Sequence, residues 1–180
     1  VYKRQVDLLS DLVKEFPEMQ GVLGGYFAES QGFEKEVCLA ISEHYLPSGL
    51  NSRVPKNDFS IALSLSDKLD TLVGFFGLNL VPTSSKDPYA LRRLTIGLIK
   101  LIVENKKKFK LKELIDYSCQ LYKNVSTKFD SVSVQKNLSI FIIERFKNYM
   151  KEKGIRQDII ESSLIDCDLN KIFIIFTKAN

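Results

Sequence analysis

Apolar residues recur at spacings of three and four along most of this chain, the stripe that lets a helix bury one face. Val6, Leu8, Leu9, Leu12, Val13 and Phe16 form the first stripe, and Pro17 ends it. A Gly-rich stretch from Gln20 to Gly25 follows, whose small residues would let helices approach closely. The next helix is predicted over Glu34–Tyr45 and is closed by Pro47 and Gly49. Ser48–Asn57 mixes Ser, Asn, Gly, Pro and charge, which predicts a surface loop. A long apolar helix is then expected from Phe59 to Leu78.

Asp87 and Pro88 open another helix. Asp87 can cap it, and Pro88 suits the first helical position, where its missing N–H is not needed. That helix runs to Asn105, and Lys106–Lys110 forms a basic connection. Further helices are predicted over Leu111–Tyr122, Val132–Lys153, Gln157–Leu164 and Leu169–Lys178, with Gly154 placed as a C-cap glycine. The last is ambiguous, because Ile172–Phe176 reads equally as a strand. There is no sustained alternation, internal repeat or low-complexity segment. The expected fold is all-α, with a helical domain over 1–125 and a helical extension over 126–180, or a single domain containing both.

The balance of 44% hydrophobic and 27% charged residues in 180 supports a globular core and argues against disorder. No apolar run reaches the roughly 18 residues of a membrane span, so no membrane role is expected. The chain opens on Val1 with no charged-then-apolar leader, so the expectation is a segment of a longer polypeptide, not a secreted precursor. Cys38, Cys119 and Cys167 are far apart and lack any Cys-x-x-Cys spacing, which fits free thiols in a reducing cytoplasm. Charge is unevenly placed. Between Ser84 and Glu113 stand nine Lys and Arg against three acids, while the rest of the chain is slightly acidic. Such asymmetry points to a polyanionic partner.

Candidate chemistry is sparse. His44 is the single histidine, so neither a multi-histidine metal site nor a nucleophile–histidine triad can be assembled. No Gly-x-x-x-x-Gly-Lys-Ser/Thr loop is present. Asp67 and Asp70 lie three apart on one predicted helix face, as a divalent-cation site or as a polar edge paired with Lys68. Lys86, Arg92 and Arg93 cluster at the start of a helix, where free N–H groups attract anions. Lys106, Lys107, Lys108 and Lys110 can grip a nucleic-acid backbone by charge, or be solvated loop lysines.

Four strings carry a resemblance. They are Asp7 to Gly25 (DLLSDLVKEFPEMQGVLGG), Glu43 to Pro47 (EHYLP), Ala62 to Gly77 (ALSLSDKLDTLVGFFG) and Pro82 to Arg93 (PTSSKDPYALRR). Together they resemble the middle-to-late part of the bacterial glycyl-tRNA synthetase β subunit. The match is strong from Val1 to Tyr122 and thins after Ser126. It implies a cytoplasmic α₂β₂ enzyme in which the α subunit activates glycine with ATP and Mg²⁺. The β subunit then supplies tRNA-binding and assembly modules, and this stretch needs no cofactor of its own.

The resemblance also implies an HD-domain-like helical bundle, a fold that normally holds metal with histidines and aspartates. Leu8-Leu-Ser-Asp11 stands where such domains have Leu-Leu-His-Asp, and Ser66-Asp67-Lys68 where they have Ala-Asp-Lys or Ala-Asp-Arg. Asp11 and Asp67 are retained while Ser10 replaces the paired histidine; with His44 they would form at most a vestigial metal site. The expectation is a non-catalytic module that contacts glycine tRNA and joins the α subunit and the rest of β. The alternatives are a metal-dependent HD-type phosphohydrolase or a purely structural assembly module.

Overall fold

The computed structural model describes residues 11–83, 85–125, 128–165 and 167–180. These form helices without any strand. In chain order the helices are α1 Asp11–Glu15, α2 Val22–Ser30, α3 Lys35–Glu43, α4 Asp58–Gly77, α5 Leu91–Glu104, α6 Leu111–Val125, α7 Ser131–Glu152, α8 Gln157–Ser163 and α9 Ile172–Ala179. Short 3₁₀ turns at Pro17–Met19 and Leu169–Lys171 lead into α2 and α9.

The long α4 packs against α3, α5, α6 and α7, so it lies at the centre. Its start is fixed by Asn57, whose side-chain oxygen accepts the N–H groups of Phe59 and Ser60 at 2.8 and 3.3 Å. Asp130 caps α7 in the same way, accepting from Val132 and Ser133 at 3.1 Å each. One apolar core runs from Ile61 on α4 to Ile172 on α9. Leu98 and Leu101 on α5, Leu111 and Ile115 on α6, and Leu138, Ile142 and Phe146 on α7 are buried in it. The core therefore crosses the boundary foreseen at residues 125 and 126.

A smaller cluster of Ala28, Cys38 and Ile41 holds α2 against α3. Here the Gly-rich stretch does what its composition suggests, but as part of a helix that the sequence pattern did not reveal. A Cβ on Gly25 would collide with the Ser42 hydroxyl and lie 2.9 Å from the Cys38 carbonyl oxygen, so only glycine permits this spacing.

Two expectations are corrected, and the ambiguity near the end of the chain is resolved in favour of the helix. Pro88 is not the first helical residue. Pro88 and Tyr89 form a turn, Ala90 takes a left-handed conformation (φ 54°), and α5 begins at Leu91. Asp87 still caps α5, accepting the N–H groups of Leu91 and Arg92 at 2.9 Å each. Ile172–Phe176 is helical, because Ile172, Ile175, Phe176 and Ala179 share one face and pack on the core. The loop from His44 to Asn57 is no loose surface segment: Pro47, Val54 and Pro55 are buried.

Four helices end in the same hydrogen-bond pattern, with one residue in the left-handed region just beyond the helix. These residues are Gly32, Asn79, Lys106 and Gly154. At the end of α5, Lys106 N–H bonds to Val103 and Lys107 N–H to Ile102, at 3.1 and 3.2 Å. Lysine therefore fills a position that suits glycine.

Candidate functional site

The basic segment is continuous in sequence but not in space. Lys86, Arg92 and Arg93 lie at the amino end of α5, and Lys106, Lys107, Lys108 and Lys110 follow its carboxyl end. Fourteen helical residues at about 1.5 Å each separate the two groups by roughly 20 Å. Between them Lys100 turns inward and is only 5% exposed, so it adds nothing to a surface patch.

At the amino end Lys86 and Arg93 are exposed. Arg92 is half-buried and spends its guanidinium on the Thr83 carbonyl oxygen, which ties down the preceding loop. The two arginines therefore do different work, as their 100° separation on the helix requires.

The carboxyl end gathers more charge than sequence proximity suggested. Lys107 pairs with Asp58 at 2.7 Å, at the start of α4, and Lys110 with Glu113 at 3.0 Å. Lys106 and Lys108 are exposed and pair with no acid among the described residues. Two further lysines join them from distant parts of the chain. Lys56 donates to the Asn105 side-chain oxygen at 3.4 Å, and Lys153, just past α7, lies 3.7 Å from Glu104 and over the Tyr149 ring. Neither falls in the segment singled out from the sequence, since both reach this end only through tertiary packing.

Behind this surface the His44–Asn57 loop is fastened by two buried lysines. The Lys68 ammonium, on α4, donates to the carbonyl oxygens of Tyr45 and Leu46 and to the Ser64 hydroxyl, at 3.3, 3.1 and 3.0 Å. Its three hydrogens thus match three acceptors. Burial pushes Lys68 down to about 8, against the pull of the neighbouring Asp67 carboxylate. Lys100, on α5, donates to the Leu50 carbonyl oxygen at 2.6 Å and to that of Ser52, with Glu104 at 3.7 Å. Gly97 allows the fit, because a Cβ there would lie 2.6 Å from the Pro47 carbonyl oxygen. The polar-edge reading of Lys68 is therefore corrected: the side chain is interior, and its partners are backbone carbonyls.

The three metal candidates have unlike surroundings. Asp11 is exposed and pairs with Lys14 at 2.8 Å. His44 is fully buried after α3, with Nδ1 2.6 Å from the Ile41 carbonyl oxygen, a geometry that puts the proton on Nδ1. Asp67 is buried while Asp70 is exposed, so the two carboxylates do not present one solvent-facing edge. Among the described residues no group of three or more His, Cys, Asp or Glu is placed to hold a metal ion. The three cysteines are free thiols, and burial, followed by the nearby Asp116, pushes Cys119 up to about 11, which makes it a poor nucleophile at neutral pH. No helix of the described residues is long and apolar enough to cross a membrane.

The structure thus defines an all-α bundle that is cationic at one end and has a lysine-fastened loop behind that end. The family profile described as glycyl-tRNA synthetase beta subunit matches residues 3–165, and the chain belongs to that family. It is 42% identical over 158 residues to the glycine–tRNA ligase beta subunit of Lawsonia intracellularis, an alignment covering 88% of this chain and 23% of that protein. The beta subunit of Rickettsia canadensis is 44% identical over 146 residues, covering 81% of this chain and 21% of the relative. That of Clostridioides difficile is 37% identical over 168 residues, covering 93% and 24%. The chain spans about a quarter or less of the length of these relatives.

Proposed function

We propose that this chain is a non-catalytic helical module of a glycyl-tRNA synthetase beta subunit, supporting the attachment of glycine to its tRNA by contacting the tRNA backbone through charge. The observation that carries this reading is the exposed pair Lys106 and Lys108, without an acid partner among the described residues, at a lysine-rich end of the bundle, in a family whose members are named glycine–tRNA ligase beta subunits. Lysines at such a surface bind phosphates without reading sequence. Lys86 and Arg93, at the other end of α5, form a second and smaller cationic group on the same module.

In this reading the module takes no cofactor of its own, and glycine activation with ATP and Mg²⁺ belongs to the α subunit, in the cytoplasm where tRNA is charged. A second role, assembly with the rest of β and with α, is favoured by the exposed Val22, Tyr26 and Leu39 on α2 and α3, an apolar face suited to cover by another part of a protein about four times longer.

The test is glycine-tRNA binding by the full-length beta subunit assembled with its α subunit, at low and moderate salt. A Lys106/Lys107/Lys108/Lys110→Ala variant is expected to bind more weakly and with a shallower dependence on salt. Unchanged affinity and salt dependence would refute the tRNA contact and leave assembly as the module's role.

A further inference from the structure

We propose that the phosphate-binding surface is composite, with Lys56 and Lys153 as additional backbone-contacting residues, so that three separate chain segments present cations to one stretch of RNA. This inference rests on the tRNA-contact reading and assigns it two residues that lie outside the basic segment. Lys56 reaches the end of α5 from the loop before α4, within 3.4 Å of the Asn105 side-chain oxygen. Lys153 reaches it from the end of α7, 3.7 Å from Glu104. Asn105 and Glu104 immediately precede Lys106, so both ammonium groups flank the left-handed turn that carries Lys106 to Lys108.

The partners of these lysines are weak ones. Lys56 meets a neutral amide, and Lys153 shares Glu104 with the buried Lys100. Neither is therefore neutralised by an acid of its own, and both keep most of their charge for a phosphate. Asp58, Glu104 and Glu113 are the acids that pair with lysines here, against Lys56, Lys106, Lys107, Lys108, Lys110 and Lys153. Lysines drawn from three separate segments suit an extended nucleic-acid backbone better than a small anion, which needs convergent donors.

Buried Lys100 is a positioning residue in this arrangement. It holds the carbonyls of Leu50 and Ser52 and so fixes the loop that delivers Lys56.

The experiment uses the full-length beta subunit with its α subunit and glycine tRNA, measuring affinity from about 50 to 200 mM salt. Lys56→Ala/Lys153→Ala is expected to weaken binding by about tenfold near 0.1 M salt and to lower the slope of log affinity against log salt by about 1 per lysine. Lys56→Arg/Lys153→Arg keeps the charge and is expected to stay close to wild type. Lys35→Ala/Lys123→Ala removes the same net charge from exposed positions on α3 and on the last turn of α6. It is expected to leave the slope unchanged.

Loss of affinity with an unchanged slope, or equal losses in the Lys35/Lys123 control, would overturn the proposal, because the effect would then be folding or bulk charge. If the Lys106–Lys110 variant loses binding while Lys56→Ala/Lys153→Ala does not, the composite surface is wrong and the tRNA contact stands. If neither variant loses binding, the tRNA contact itself falls.

Discussion

Two sets of lysines in this molecule do opposite things. Lys68 and Lys100 are buried, and their ammonium groups are spent on loop carbonyls. Lys106 and Lys108 are exposed and without an acid partner among the described residues, with their charge directed outward. Lys100 and Lys106 are six residues apart on and just past the same helix, yet one holds the fold and the other is available to a partner. Positive charge in a sequence is therefore not one quantity. Counted together, these lysines suggest a single basic strip, but burial removes Lys100 from it and tertiary packing adds Lys56 and Lys153.

The buried lysines bear on stability far more than the exposed ones do. Lys68→Ala is expected to lower unfolding free energy by about 3 kcal/mol, because it leaves a cavity and removes the ammonium's hydrogen bonds to the loop carbonyls, partly offset by relief of the buried charge. Lys108→Ala is expected to change it by less than about 0.5 kcal/mol. Denaturant titration of the two variants decides the matter. Equal, small losses would mean that the Lys68 contacts hold little of the fold. Gly97→Ala attacks the same loop from the other side. The Pro47 backbone must retreat from a Cβ placed 2.6 Å from its oxygen, and a loss of about 2 kcal/mol is expected in the same assay.

Protonation sharpens the contrast. Lys68 sits near 8 in the folded protein, against an ordinary value of 10.5. Below pH 8 both folded and unfolded chains hold the proton, so its contribution is flat. Between about 8 and 10.5 the unfolded chain keeps a proton that the folded chain has released, so this group makes stability rise with pH, by at most about 1.4 kcal/mol per unit. Other groups titrate in the same window, so the measurement is the difference between wild type and Lys68→Met. Wild type is expected to gain on the variant from pH 8 to 10. Parallel curves would show that Lys68 is solvated.

Much of the fold was legible in the sequence, because helical periodicity is local. Seven of the helices fall where apolar residues recur at three and four, with ends displaced by a few residues. The helix over Val22–Ser30 was missed because Gly24 and Gly25 read as a break, whereas Gly25 lies inside the helix and permits its close approach to Cys38 and Ser42. The site was less legible, since its residues meet only in three dimensions. Lys100 did leave a signal: α5 is apolar nearly all round (Leu98, Ile99, Leu101, Ile102, Val103), and a lysine inside such a helix has no solvent face. Lys56 and Lys153 left none, because nothing local in either segment shows that it ends beside Asn105 and Glu104.

The smallest expected effect separates stability from function in a single residue. Lys106 closes α5 with φ 54°, while Gly32 and Gly154 close α2 and α7 in the same manner at no steric expense. An L-residue in that conformation carries about 1 kcal/mol of strain, of which glycine's greater freedom in the unfolded chain returns part. Lys106→Gly is therefore expected to stabilise the protein by roughly 0.5 kcal/mol in denaturant titration. The same substitution removes an exposed charge, so the full-length subunit is expected to bind tRNA more weakly, with a salt slope smaller by about 1. A stabilised variant that binds as well as wild type would show that Lys106 has no part in the contact. Gains and losses of opposite sign would show that a strained lysine stands at this helix end because its charge is used.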